Sequence, residues 1–247
     1  MSEILLEAPV FNLQAAIEAA QLGIDRLELC ANFPEGGETP SAGMLRFLKS
    51  ELDLPIFVMI RPRGGNFVYS SKELLVMKQD IQLLGDLGAD GFVFGALDAQ
   101  GGVHESACEF LIRAAASRPC TFHRAFDASA NLSDSLKTII GLGFERVLTS
   151  GGKNSLTEGL GVVLELMEQA KDRIIVMPGG GLKASHIPAL KESGYLKEVH
   201  ASCKLAKETD NQFINPQLSF TSTPLEFSQN FGVDPILVNE FKAAFSS

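Results

Sequence analysis

Eight short apolar runs, repeated along the chain with helical patterns between them, constrain this sequence more than any other feature. They occupy residues 4–7, 27–30, 56–61, 91–94, 120–123, 146–149, 174–177 and 198–200, and each is rich in Ile, Val, Leu or Phe. Their starts lie roughly 22 to 36 residues apart, the spacing of a strand, a crossover helix and the next parallel strand. Leu13, Ala16, Ile17 and Ala20 recur at i, i+3, i+4 and i+7, so residues 12–22 carry one apolar stripe suited to packing on a sheet. Asn12 suits the N-cap of that helix and Gly23 its C-terminal stop. The same grammar predicts helices over 41–51, 70–87, 131–142 and 183–193, the last three followed by Gly88, Gly143 and Gly194.

Eight such units in about 200 residues, with no Pro/Ser-rich linker between them, predict a (β/α)8 TIM barrel with a C-terminal extension and helix. The alternative from the same pattern is an open doubly wound sheet. The chain reads as a single domain over 1–247, with the barrel over about 1–203 and the extension over about 204–247. Residues 211–230 are rich in Asn, Ser, Thr, Pro and Phe, and helical spacing returns only at 235–245. Phe213, Phe220, Phe227 and Phe231 are candidates to cover part of the barrel or a subunit interface.

Of 247 residues, 45% are hydrophobic, enough for a large core, and the formal net charge of −9 argues against nucleic acid or an anionic membrane as the main partner. No stretch of about 18 apolar residues is present to span a bilayer. Cys30, Cys108, Cys120 and Cys203 lack metal-finger or paired spacing, and no signal-like leader opens the sequence, so the expectation is a reduced, cytoplasmic protein.

Side chains alternate across a strand, so residues two apart share a face. That alternation groups Leu5 with Glu7, Glu28 with Cys30, Phe57 with Met59 and Arg61, Thr121 with His123, and Glu198 with His200 and Ser202. With those faces inward, Glu7, Glu28, Arg61, His123 and His200 converge near the C-terminal mouth, where barrels place their sites. His123 is the acid/base candidate, Glu7 and Glu28 are partner carboxylates, and Arg61 and Arg124 are clamps for an anion. Asp127 is placed to orient Arg124 or His123, and Asp98 to orient a neighbour of its own. Two glycine-bearing loops, Thr149, Ser150, Gly151, Gly152, Lys153 and Pro178, Gly179, Gly180, Gly181, together with Arg63, form the expected anion-binding set. For any one of these residues the alternative is a satisfied structural pair or a plain tight turn.

The motifs RLELC at 26–30, EGGETPS at 35–41, RPRGG at 61–65, TFHRAFD at 121–127, RVLTSG at 146–151 and PGGG at 178–181 resemble the CutC copper homeostasis family. The resemblance runs through almost the whole barrel and implies a cytoplasmic (β/α)8 protein with a role in copper homeostasis and copper(I) binding. In relatives credited with copper, one cysteine lies two residues after the strand-one glutamate and a second ends the RLELC-type motif. Cys30 supplies the second, but Pro9 stands where the first would be and cannot ligate a metal. Cys30 and Cys203 flank the place that Pro9 vacates and are the candidate replacement pair. Three functions compete: copper handling, acid/base catalysis on a small phosphate- or carboxylate-bearing substrate, and a scaffold without activity. The residues at the mouth favour the second. Many such barrels are homodimers, and the same is expected here.

Overall fold

The architecture is that of a computed structural model, which describes residues 4–208, 213, 215, 217 and 229–246. Eight parallel strands, β1 (Leu5–Val10), β2 (Arg26–Leu29), β3 (Ile56–Met59), β4 (Gly91–Phe94), β5 (Cys120–Phe122), β6 (Arg146–Thr149), β7 (Ile175–Pro178) and β8 (Glu198–His200), pair in the order β7-β6-β5-β4-β3-β2-β1-β8. β1 therefore lies between β2 and β8, and β7 and β8 meet side by side at a seam without a ladder. This is a nearly closed barrel, and it excludes the open doubly wound alternative. The helices α1 (Leu13–Gln21), α2 (Ala42–Glu51), α3 (Ser71–Asp86), α4 (Glu105–Ala114), α5 (Leu132–Leu142), α6 (Leu156–Ala170) and α7 (Ile187–Glu192) follow the first seven strands in turn. Among the described residues, no helix is long and apolar enough to cross a membrane.

Local chemistry fixes the helix starts. The Asn12 side chain accepts from the Ala15 N–H at 2.8 Å. At α3, the Ser70 hydroxyl accepts from the Glu73 N–H while the Glu73 carboxylate accepts from the Ser70 N–H at 2.7 Å, a reciprocal cap. One expectation needs correcting: residues 183–193 are not one helix. A 3-10 turn over Ala184–His186 precedes the short α7, whose second residue, Pro188, has no N–H. No full helix start points at Gly181.

The two faces of the barrel wall differ sharply. Outward-facing Leu6, Ala8, Leu27, Leu29, Val58, Phe92, Phe94, Phe122 and Val147 join the helices in one large apolar core. The inward face is charged at its base, where Arg26, Arg146, Glu7 and Glu198 surround Phe57.

After β8 the chain forms an antiparallel ribbon, β9 (Lys204–Glu208) and β10 (Gln229–Val233), and then α8 (Pro235–Ser246), which buries Val238 and Phe241. The ribbon packs on α1: the Asn12 amide donates to the Phe231 carbonyl at 2.7 Å, and the Val233 N–H donates to Glu18 at 3.1 Å. Phe213 is exposed, while Phe220 and Phe227 lie outside the described residues.

Phe57 is clamped between the Arg26 and Arg146 guanidiniums, whose central carbons lie 4.6 and 4.9 Å from its ring centroid. A Cβ on the neighbouring Gly91 would stand 2.6 Å from that ring. Gly91→Ala is therefore expected to lower stability by about 1–3 kcal/mol through overpacking, read from urea unfolding midpoints. An unchanged midpoint would show that Phe57 is free to move.

Candidate functional site

The buried ionic chain at the base of the barrel is longer than the alternation of the sequence suggested. Arg26, at the first position of β2, donates from Nε to Glu7 at 2.5 Å and from Nη2 to Glu198. Glu198 also accepts from Arg146 Nε at 3.1 Å. Glu7 uses its second oxygen on His200 Nδ1, 2.8 Å away, and His200 Nε2 lies 3.8 Å from Glu28. Charges thus alternate in sign from Arg146 through Glu198, Arg26, Glu7 and His200 to Glu28. Arg26, Arg146 and Glu198 had not been assigned to the site.

This arrangement sets the protonation states above it. Burial alone would raise the Glu7 carboxyl, but Arg26 and His200 outweigh that and hold it at about 2. Burial would likewise lower His200, yet its bond to Glu7 and the field of Glu28 raise it, which favours the imidazolium. For Glu28 burial dominates, with Glu7 adding repulsion, and the carboxyl is raised to about 7. Glu7, fully buried with both oxygens engaged, is therefore a support for His200; its expected role as a partner carboxylate facing substrate does not match its position.

Above the chain lies a cavity of about 440 Å³ at the C-terminal mouth. Glu28, Glu35, Arg61, His123, Arg124, His200 and Ser202 supply its polar lining, and Pro9, Phe11, Phe33, Met59, Phe67 and Leu148 its apolar lining. The rings came from loops and strand ends that no periodicity marks: Phe11 follows β1, Phe33 follows β2 and Phe67 follows β3.

Arg61 is buried at 5% exposure; its Nη1 donates to the carbonyls of Glu35 and Gly37 and its Nη2 to that of Gly65, the last at 2.7 Å, and its guanidinium also lies against the Tyr69 hydroxyl. No carboxylate pairs with it among the described residues. His123 lies beside it, and both groups pack on the Phe67 ring, each 4.9 Å from the centroid. Burial, then the charge of Arg61, lowers His123 to about 3, so its imidazole is neutral at neutral pH. Its Nδ1 accepts from the Ala125 N–H at 3.2 Å, which leaves the proton on Nε2. That tautomer makes the buried Nε2 of this lining residue a hydrogen-bond donor, not the acid/base expected from the sequence.

Four buried side-chain atoms lack a partner among the described residues: Glu28 Oε1, Arg61 Nε, His123 Nε2 and the Tyr69 hydroxyl. The first three belong to residues that line this one cavity.

The loops after β5, β6 and β7 are built around Asp127. Its carboxylate accepts from Arg124 Nε at 2.8 Å, from Thr149 Oγ1 at 2.5 Å and from the Gly152 N–H at 2.9 Å, and Ser150 adds its own N–H. Asp127 does orient Arg124, but it is spent on the loop. Most of the expected anion-binding set is spent in the same way, because buried polar groups must find partners. Ser150 Oγ accepts from Arg124 at 2.6 Å and donates to Lys153, the Gly151 N–H goes to Thr149 Oγ1 at 2.9 Å, and the Gly179 N–H goes to the Thr149 carbonyl at 2.9 Å. Arg63 is bound to Glu73 at 2.6 Å, to the carbonyls of Gly64, Asn66 and Val68, and to the Asn66 amide oxygen, outside the cavity. Only Gly180 and Gly181 of that set line the cavity. Asp98 turns back on its own loop, accepting from Gln100 and Gly102.

The proposed thiol pair does not form. Cys30 faces the barrel interior, packed with Phe57, Met59 and Val93, whereas Cys203 belongs to the outer core. Cys203 lies beyond the end of β8, where its positive φ of 41° turns the chain away from the barrel wall. Among the described residues no three His, Cys, Asp or Glu side chains are grouped to hold a metal ion. Burial, then Glu28, holds the Cys30 thiol well above its ordinary value, so it is not a ready thiolate. These residues do not fit a two-thiolate copper(I) site.

Comparison with known proteins adds a family frame. The model of the CutC family matches residues 4–205. The copper homeostasis protein cutC homolog of Homo sapiens is 44% identical over 215 residues, which cover 87% of this chain and 79% of that protein. The CutC crystal structure from Streptococcus agalactiae superposes with a TM-score of 0.75 at 34% identity, covering 81% of this chain and 98% of the other. An aldolase, QR15, matches at a TM-score of 0.58 and 15% identity over 81% of this chain and 90% of its own, and shares the barrel alone.

His123 and Glu28 give stability opposite pH dependences. The His123 value falls from an ordinary 6.5 to about 3 on folding, so its contribution is present above pH 6.5 and lost as pH falls toward 3. The Glu28 value rises from 4.5 to about 7, so its contribution is present below pH 4.5 and lost as pH rises through 7. Between pH 4.5 and 6.5, Glu28→Gln should become more stable relative to wild type as pH rises, and His123→Gln less stable. Urea unfolding across that range checks both slopes; slopes of the same sign would contradict these assignments.

Proposed function

The chain belongs to the CutC family, and we propose that it is an enzyme that moves a proton next to the carbonyl of a small carboxylate-bearing substrate. One observation carries this reading: Glu28 Oε1, Arg61 Nε and His123 Nε2 are buried, unpartnered and contributed by residues that line one cavity. Leaving such groups unmade costs about 1–3 kcal/mol each, more when charged, and a ligand that satisfies all three recovers it. Arg61, a buried cation without a carboxylate, calls for an anion.

The roles follow from the chemistry of each group. Arg61 Nε–H holds a carboxylate oxygen of the substrate. His123 Nε2–H donates to the carbonyl oxygen and, being neutral, stabilises the negative charge that develops there. Glu28, poised at about 7, takes the proton from the adjacent carbon while the electron pair moves onto the carbonyl oxygen, and returns a proton in the reverse step. His200, fixed by Glu7, balances the Glu28 carboxylate from below. Arg124 stands at the rim as a second cation.

Copper homeostasis is part of the human relative's name. In this chain a soft-metal reading would rest on Cys30 and Met59, which meet near Gly37, and one protonated thiol supports it less than the three open polar atoms support catalysis.

The reading is tested by incubating the protein with a panel of 2-oxo acids in deuterated water and following loss of the proton next to the carbonyl by NMR. Catalysed exchange is expected for at least one member, reduced about 100-fold or more in Glu28→Gln. No exchange across the panel, or an undiminished rate in Glu28→Gln, would reject it.

A further inference from the structure

Resting on the reading above, we infer that the substrate carries an aromatic ring beside its carboxylate, seated against Phe11 and Phe33, and that the C-terminal ribbon sets this preference through Phe231. The cavity of about 440 Å³ falls in the range of roughly 300–1,000 Å³ that larger organic ligands occupy. A three-carbon acid held by Arg61 and His123 would fill only part of it. The lining also includes an apolar stretch, in which Pro9 of β1 is joined by Phe11 and Phe33.

The wall is assembled from rings in contact. Phe11 meets Phe33 edge to face, with centroids 5.1 Å apart, and Phe33 meets Phe231 at 4.8 Å. The Lys204 ammonium lies 4.5 Å from the Phe33 centroid and 5.2 Å from that of Phe231, so a cation holds both rings together. Phe11 and Phe33 are only half-buried, which leaves ring surface for another ring to meet edge to face or offset. Phe231 does not itself line the cavity; it backs Phe33 from β10, anchored by Asn12, and acts as a positioning residue. The family match ends at residue 205, so this buttress belongs to the part of the chain beyond it.

Pyruvate and phenylpyruvate share the 2-oxo acid group and differ by the ring. Calorimetric titration of the full chain is expected to give phenylpyruvate at least tenfold tighter binding than pyruvate. In Phe33→Ala and Phe231→Ala that ratio should fall toward one, and in Phe231→Ala the pyruvate affinity should stay unchanged, which also reports that this variant is folded; Phe231→Leu should restore part of the ratio. Equal affinities in the wild type, or a ratio that survives both alanine variants, would overturn the inference and leave the acid/base reading standing. Absence of binding by either acid would reject both.

Discussion

The alternating chain of buried charges through the barrel axis is the constraint on which the site depends. Most barrels fill this space with branched aliphatic side chains. Here Arg146, Glu198, Arg26, Glu7, His200 and Glu28 occupy it, and each interior charge is flanked by opposite sign. Such a chain is not a source of stability in itself, because desolvation offsets most of the attraction. Its value is positional: no member can leave without stranding the next. Phe57, held between two guanidiniums, and Gly91, which makes room for it, lock the base of the chain.

That rigidity explains why two similar carboxylates differ. Glu7 sits between Arg26 and His200 and is firmly ionised; Glu28 lies at the end of the chain, with His200 as its nearest cation and one buried oxygen without a partner. Environment divides one residue type into a support and an acid/base group. The same principle separates the histidines. His200, between two glutamates, is pushed toward its charged form, and His123, beside Arg61, is neutral. In the same cavity, the rings of Phe11 and Phe33 supply a surface with no charge to satisfy.

Strand parity made much of this legible in the sequence. Counting in twos placed Glu7, Glu28, Arg61, His123 and His200 on one face, and the spacing of apolar runs located all eight strands within a few residues. Arg26 was obscured because a charged residue just before an apolar run reads as a boundary. The helix over Leu156–Ala170 was hidden by Gly159 and Gly161, which lower helical propensity. Gly159 is required nonetheless, since a Cβ there would stand 1.8 Å from the Ser150 carbonyl oxygen. The aromatic wall was beyond reach for another reason: Phe11, Phe33 and Phe231 meet only through tertiary contacts, between residues 11 and 33 and between residues 33 and 231, which no local period records.

The central claim is that Arg61 and a neutral His123 present paired donors to an anionic carbonyl compound. Nitrogen NMR of protein labelled in its histidine rings, recorded at neutral pH with and without pyruvate, tests it most directly. The account predicts a His123 ring protonated at Nε2 and bare at Nδ1, with the Nε2–H signal shifting as pyruvate is added. A doubly protonated ring, a proton on Nδ1, or an Nε2 signal indifferent to saturating pyruvate would contradict it.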